Sequence, residues 1–291
     1  MKQGKEIEHP ESRFFAVLLA AAKLPGVRIH RESYLRSALA RHCSEGEIRR
    51  AIEETPAAAG ITVELLDKIA KDSIRYETAK VSALSAAAGI PGILALPATV
   101  PADLAQYVGH MLRIAQKLAY LYSWPDLFSD EGDDVDDATI GVLTLFFGVM
   151  FGTQSANVAV GKVAGMMSKQ VAKKLPQKAL TKGVIYPLVK KSAAYLGVQM
   201  TKQSFAKGVS KAIPVVGAVV SGGLTFATYL PMAKRLKKHL AGLPLADPSR
   251  RVAAEDVVDG EVVEEHETFD AADAELHDEE TAAVKPAEPR P

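Results

Sequence analysis

Apolar residues recur every three or four positions along much of the chain, which is the spacing of one face of an α-helix. Ser44 and Glu47 have the spacing of a capping box at the start of one such segment, and Thr62 is suited to cap the next. The clearest amphipathic helix begins at Pro101, whose missing N–H suits a first helical turn, and ends near Trp124. Its apolar positions are Leu104, Val108, Met111, Ala115, Leu118 and Tyr122.

Three stretches without a charged residue, 81–102, 138–161 and 212–233, are 22, 24 and 22 residues long. That length is enough to cross a bilayer, but glycine and proline break the first and third stretches, and the mean hydropathy of the chain is only +0.04. Membrane spans, a soluble core that touches membranes and a plain soluble core are therefore all open. Residues 140–151 are apolar on every side of a helix, so protein or lipid must cover them. The side chains that we expect to contact a membrane are Leu143, Leu145, Phe146, Phe147, Met150 and Phe151.

Hydrophobic residues make up 48% of the chain and aromatic residues only 6%, a mixture that favours helices over strands. The sequence predicts an all-α protein, a helical bundle whose apolar helices are broken by glycine and proline. Its composition divides it into a flexible N-terminus (1–12), a small helical subdomain (13–60), a main helical domain (61–244) and a disordered acidic tail (245–291). A single cysteine, Cys43, and the lack of an N-terminal apolar segment predict a cytoplasmic protein.

The formal net charge of zero hides a strong segregation of charge along the chain. Residues 1–137 carry a net charge of −4, residues 138–246 carry +15 without a single acid, and residues 247–291 carry −11. An ordinary solvated surface mixes both signs, because a block of one sign repels itself. The basic block therefore predicts an anionic partner.

An anionic membrane surface, or a membrane protein complex, is the partner that the basic block favours, because lysine near an anionic leaflet contributes about 1 kcal/mol. Nucleic acid is less favoured, since 14 of the 15 cations are lysine and few aromatic residues lie among them. A third reading is an intramolecular contact between the acidic tail and the basic block. The cations expected to bind the anionic surface are Lys162, Lys169, Lys173, Lys174, Lys178, Lys182, Lys190, Lys191, Lys234, Arg235, Lys237 and Lys238.

The sequence contains no phosphate-binding loop, nucleophile elbow or metal-ligand motif, so no cofactor or metal is predicted. Asp103 and His110 lie seven residues apart, on one face of the helix that follows Pro101. They are the only candidates for a catalytic site, and they define an alternative in which the protein is a hydrolase-type enzyme with Asp103 in a pocket near the glycine-rich bend. The simpler reading of Asp103 is an acid in the first helical turn, where it interacts with the helix N-terminus.

Two segments resemble the EcsC family. The first is AGIPGILALPATVPADL at 88–104, followed by Arg113-Ile114-Ala115, and the second is KAIPVVGAVVSGG at 211–223, followed by Ala233 and a basic end. The resemblance covers residues 65–240 and implies a helical bacterial protein without an established activity, named for association with an ABC-transporter gene cluster. It supplies no catalytic residues. We therefore expect a non-enzymatic accessory at the cytoplasmic face of a membrane or membrane complex.

Overall fold

The computed structural model describes residues 10–88, 102–128, 135–170, 174–210 and 229–247, without the side chains of 82–88, 102–103, 169–170 and 201–210. These residues are helical, with no strand among them, which confirms the all-α prediction. The helices are α1 Pro10–Ala22, α2 Arg31–Leu39, α3 Glu45–Glu53, α4 Val63–Ala88, α5 Ala102–Leu121, α6 Asp137–Met150, α7 Gln154–Gln170, α8 Gln177–Thr181 and α9 Tyr186–Ser210. A further helix, α10, covers residues 229–241.

Three helices begin at capping side chains, and the sequence predicted the first two of them. At the start of α3, the Glu47 N–H donates to Ser44 Oγ at 3.3 Å, and the Ser44 N–H donates to a Glu47 carboxylate oxygen at 2.7 Å. Thr62 Oγ1 accepts from Leu65 N–H at 3.4 Å in the first turn of α4. The Asp136 carboxylate accepts two N–H groups in the first turn of α6. Each contact satisfies an N–H that has no partner within its own helix.

Helix α6 lies in the core and packs on α7, α8 and α9, while α1 packs on α9 and α5. The rings of Trp124 and Phe146 meet edge to face with their centroids 4.8 Å apart, and those of Phe14 and Phe147 do so with their centroids 6.0 Å apart. Phe151 is partly covered, and the five side chains with no exposed surface or almost none are Leu143, Leu145, Phe146, Phe147 and Met150. Protein, rather than lipid, covers these residues in the structure, which corrects the expectation that they contact a membrane.

The apolar run at 138–161 is divided between α6 and α7, which meet at a tight turn. Gly152 follows α6 with a φ of +83°, a conformation that glycine adopts without strain. A Cβ added at Gly148 would lie only 2.5 Å from the Cβ of Ala156, so the missing side chain allows α7 to fold back closely onto α6. No helix in the described part of the chain is long and apolar enough to cross a membrane. Residues 89–101 and 212–228, which make up most of the other two apolar runs (81–102 and 212–233), lie outside the described residues.

The first helices share the core of the later ones. Besides the contacts of α1, α2 packs on α3 and α5, and α4 packs along α5. The backbone N–H of Ile29 donates to the buried Gln116 side chain of α5 at 2.8 Å. The segment before α1 (1–9) and nearly all of the predicted acidic tail (248–291) lie outside the described residues.

Candidate functional site: two polar faces of one helix

Helix α4 places charged side chains on two of its faces. Positions 67, 71, 74, 75 and 78 follow the three- and four-residue spacing of one face, while positions 66, 70, 73 and 77 form another. The second face carries Glu77 toward α5, and the first carries Lys71 and Arg75 toward α10. The two faces therefore belong to two different candidate sites.

A charged cluster, formed by Glu77, His110, Arg113 and Lys117, lies between α4 and α5. The Glu77 side chain has no exposed surface, and its Oε1 lies 2.7 Å from Lys117 Nζ and 3.1 Å from Arg113 Nη2. His110 Nδ1 is 3.8 Å from Glu77 Oε2, beyond hydrogen-bond distance. A second guanidinium nitrogen of Arg113 donates to the carbonyl of Gly26, which ties the α1–α2 connection to the cluster.

The lowered pKa of Glu77 shows that the cluster stabilises its ionised form. Burial alone would raise the pKa, but the adjacent His110, Arg113 and Lys117 outweigh that effect and hold it well below its ordinary value. Glu77 is therefore an ionised carboxylate with its cations in place. An acid of this kind neither donates nor accepts a proton near neutral pH, so the arrangement fits a structural role.

Of the catalytic pair expected from the sequence, Asp103 and His110, the structure describes the side chain of His110 alone. The side chain of Asp103 lies outside the described residues, while His110 is buried and faces Glu77 of α4. The His110 carbonyl accepts a hydrogen bond from the hydroxyl of Tyr229 in α10 at 3.0 Å. The His110 side chain is therefore enclosed between α4 and α5, where its Nδ1 has no hydrogen-bond partner among the described residues.

The second site is a groove between α4 and α10, with a cavity volume of about 780 Å³. We call it the basic groove, because five of the side chains that line it are cations. Ile74 and Leu230 add apolar surface, and Thr78 directs its hydroxyl to the Ile74 carbonyl at 2.7 Å. The five cations are Lys71, Arg75, Lys234, Lys237 and Lys238.

One carboxylate, Asp67, stands at the edge of the basic groove and holds Lys237. Its Oδ2 accepts from Lys237 Nζ, and its Oδ1 accepts from the hydroxyl of Tyr122 at 2.5 Å. Burial alone would raise the pKa of Asp67, but these two hydrogen bonds and the nearby Lys71 lower it. Among the described residues, the other four cations of the groove have no ion pair with an acid.

The structure separates the cations that the sequence grouped together. Lys234, Lys237 and Lys238 line the groove, whereas Arg235 donates to the Met150 carbonyl at the end of α6, at 3.2 Å. Lys162 is half-buried, and the side chains of Lys169 and Lys173 lie outside the described part of the chain. The remaining predicted cations are exposed in or near α8 and α9, away from the groove lining: Lys174, Lys178, Lys182, Lys190 and Lys191.

Sequence reasoning missed Lys71 and Arg75, and of the Glu77 cluster it singled out only His110. The two cations lie in the segment of net charge −4, so a count along the chain concealed them. A signal for the cluster existed: His110, Arg113 and Lys117 recur at helical spacing in an otherwise apolar part of α5. Polar residues at such positions are expected to find a buried partner.

Neither the side chains of the described residues nor comparisons with known proteins identify a metal site or a family. The described residues contain no group of three or more histidine, cysteine, aspartate or glutamate side chains that could hold a metal ion. The chain matches no protein-family model, and comparisons with curated proteins and with solved structures find no match. The resemblance to the EcsC family therefore stays a prediction.

Proposed function

We propose that this protein is a non-enzymatic accessory that associates with an anionic membrane surface, at the cytoplasmic face, through the basic groove. The observation that carries the proposal is the convergence of five cations from α4 and α10 on one cavity, where among the described residues only Lys237 has an ion pair, with Asp67. Like charges repel, so such a concentration is maintained against self-repulsion and is suited to an anion.

The expected binding energy is sufficient for a peripheral protein. Each cation near an anionic leaflet contributes about 1 kcal/mol. The four groove cations without an ion pair in the described residues would thus contribute about 4 kcal/mol, or about a thousandfold in affinity. That contribution is electrostatic and falls with salt.

The composition of the groove favours a membrane over the alternatives. Only one of its five cations is arginine, and no aromatic side chain is among the described residues that line it. Base readout and single-strand binding depend on those two residue types. The same lining contains no acid, histidine or cysteine, so its chemistry is that of binding rather than of proton transfer.

The resemblance to the EcsC family supports the same proposal. It implies a family named for association with an ABC-transporter gene cluster, and its second segment precedes α10 in the sequence, the helix that carries three of the groove cations. The hydrolase alternative depends on Asp103, whose side chain lies outside the described residues.

The test is a pair of charge-matched triple variants in a vesicle sedimentation assay. The groove variant combines Lys71→Glu, Lys234→Glu and Lys238→Glu, and the control combines Lys174→Glu, Lys178→Glu and Lys182→Glu. We expect the wild-type protein to sediment with phosphatidylglycerol-containing vesicles and not with pure phosphatidylcholine. The groove variant should lose at least about tenfold in affinity, because three attractive contributions become repulsive, whereas the control should change by less than about threefold.

Each opposing result has a clear meaning. If the wild-type protein does not bind anionic vesicles, the proposal fails. Equal loss in both triple variants would mean that net charge, rather than the groove, drives binding. If the protein prefers duplex DNA to anionic vesicles at the same salt concentration, the nucleic-acid reading replaces the membrane reading.

A further inference from the structure

The basic groove is a half-open cavity of defined volume, which diffuse attraction to a charged membrane does not require. Its volume of about 780 Å³ lies within the range of about 300–1,000 Å³ that is typical of small-molecule sites. Two helices that are far apart in sequence form its walls, so its shape depends on the tertiary fold. These features suggest that a single molecule occupies it.

The groups that line the groove define the chemistry of that molecule. Ammonium and guanidinium groups only donate hydrogen bonds, and the Thr78 hydroxyl already donates to the Ile74 carbonyl. The ligand must therefore present several acceptors and negative charge, as a phosphate does. Arg75 adds a planar fork of the kind that binds phosphate oxygens in pairs. The apolar side chains of Ile74 and Leu230 lie in the same cavity and fit the non-polar part of an amphiphile.

Asp67 stands where it opposes such a ligand. It holds Lys237 in an ion pair, and the Tyr122 hydroxyl fixes the carboxylate from the other side. A bound phosphate must share Lys237 with Asp67, and the two negative charges repel each other. Asp67 is therefore a built-in competitor that lowers the affinity of the groove.

We propose that the basic groove binds one phosphate-bearing amphiphile, with its phosphate among the five cations and its apolar part over Ile74 and Leu230, and that Asp67 limits its affinity. This inference rests on the proposed function, because it names the lipid component that the membrane-bound protein would hold. It also goes further, because it requires a stoichiometric site that works in the absence of a membrane.

The first experiment is calorimetric titration of the full chain with monomeric short-chain lipids below their micelle concentration. Dihexanoyl phosphatidylglycerol should bind with a stoichiometry of one. Dihexanoyl phosphatidylcholine, whose ammonium is repelled by the groove, and inorganic phosphate, which has no apolar part, should each bind at least about tenfold more weakly. If phosphate binds as tightly as the lipid, the amphiphile is wrong and the groove takes a free anion.

The outcomes separate this inference from the proposed function. Binding to anionic vesicles without binding of the monomeric lipid overturns the site and leaves membrane association standing. If the protein binds neither anionic vesicles nor the monomeric lipid, both the lipid site and the membrane association are wrong. Both binding measurements use the wild-type protein, so their results do not depend on whether a variant folds.

The role of Asp67 is tested with two variants of α4 that remove the same charge. Asp67→Asn should bind dihexanoyl phosphatidylglycerol about fivefold more tightly, because Lys237 becomes free for the phosphate. Asp72→Asn, at an exposed position of α4 that does not line the groove, should leave the affinity within about twofold of wild type. Tyr122→Phe removes a hydrogen bond to Asp67 but no charge, and it should not reproduce the gain. An equal gain in Asp67→Asn and Asp72→Asn, or no gain in Asp67→Asn, overturns the assignment.

Discussion

The two polar faces of α4 differ in how their charges are paired. Toward α5, Glu77 is fully buried and has Arg113 and Lys117 within hydrogen-bond distance. Toward α10, Asp67 pairs with one of five cations around an open cavity. The same helix thus carries, on one face, an acid enclosed by its cations and, on another face, cations in excess of their acid.

Solvent access explains why both arrangements persist. A buried charge loses its hydration and must be neutralised by its neighbours, so the Glu77 cluster is closed and complete. In the groove, water screens the like charges, which reduces their mutual repulsion but does not remove it. The first arrangement fixes α4 on α5, and the second leaves charge available to a partner. The predictions below separate the two roles.

Removal of the buried acid should have the largest effect. We expect Glu77→Gln to lower the free energy of unfolding by about 3–5 kcal/mol, because Arg113 and Lys117 would be left buried without a counter-charge. Denaturation in urea, followed by circular dichroism, measures the change. Arg75→Gln removes one exposed charge two residues away on the groove side, and it should change stability by less than about 0.5 kcal/mol. Similar losses in the two variants would contradict the distinction between the faces.

A lower pH should reduce the difference in unfolding free energy between the wild-type protein and Glu77→Gln. The pKa of Glu77 is lowered in the folded protein, so its stabilising contribution is present above the unfolded pKa of about 4.3 and is lost as pH falls below it. Between pH 6 and pH 3, the gap in unfolding free energy between wild type and Glu77→Gln should narrow, by at most about 1.4 kcal/mol per pH unit. Asp67 titrates in both proteins and cancels in this comparison. A gap that is constant with pH would show that the ionised charge of Glu77 does not account for the stability that Glu77→Gln loses.

Salt should act on the groove and hardly on the cluster. An increase in sodium chloride from about 0.1 M to about 1 M shortens the screening length from about 10 Å to about 3 Å. We expect affinity for anionic vesicles to fall at least about tenfold, while the unfolding free energy changes by less than about 1 kcal/mol. Vesicle binding that resists salt would indicate apolar insertion instead of electrostatic attachment.

The local features of the fold were readable from the sequence because they depend on near neighbours. The capping box of Ser44 and Glu47, the cap at Thr62 and the amphipathic stripe of α5 each depend on residues within a few positions of one another. Their outcomes follow from helix geometry and the need to satisfy backbone N–H groups. The all-α class follows from the same local rules.

The sites were not readable, because they join residues that are far apart along the chain. Lys237 meets Asp67 across 170 positions, and Lys117 meets Glu77 across 40. A count of charge by segment placed Lys71 and Lys234 in different regions of opposite sign, although both line the groove. Periodicity showed that 140–151 must be covered on all sides, but it did not distinguish protein from lipid. Only the tertiary packing resolved that choice.

The acidic C-terminal segment should have the smallest effect, and it acts on the groove alone. Residues 247–291 carry a net charge of −11, and they begin six residues after the end of α10, which supplies three of the groove cations. We expect negative charge attached at that point to oppose the approach of an anionic membrane and to compete for the same cations. Removal of residues 248–291 should therefore increase affinity for phosphatidylglycerol vesicles about threefold at low salt, with no change in the urea midpoint. A full-length variant with the acids of this segment changed to their amides should show the same gain, since charge is the cause. Unchanged vesicle binding in both proteins would show that this segment does not compete for the groove, which would leave Asp67 as the competitor that the described residues provide.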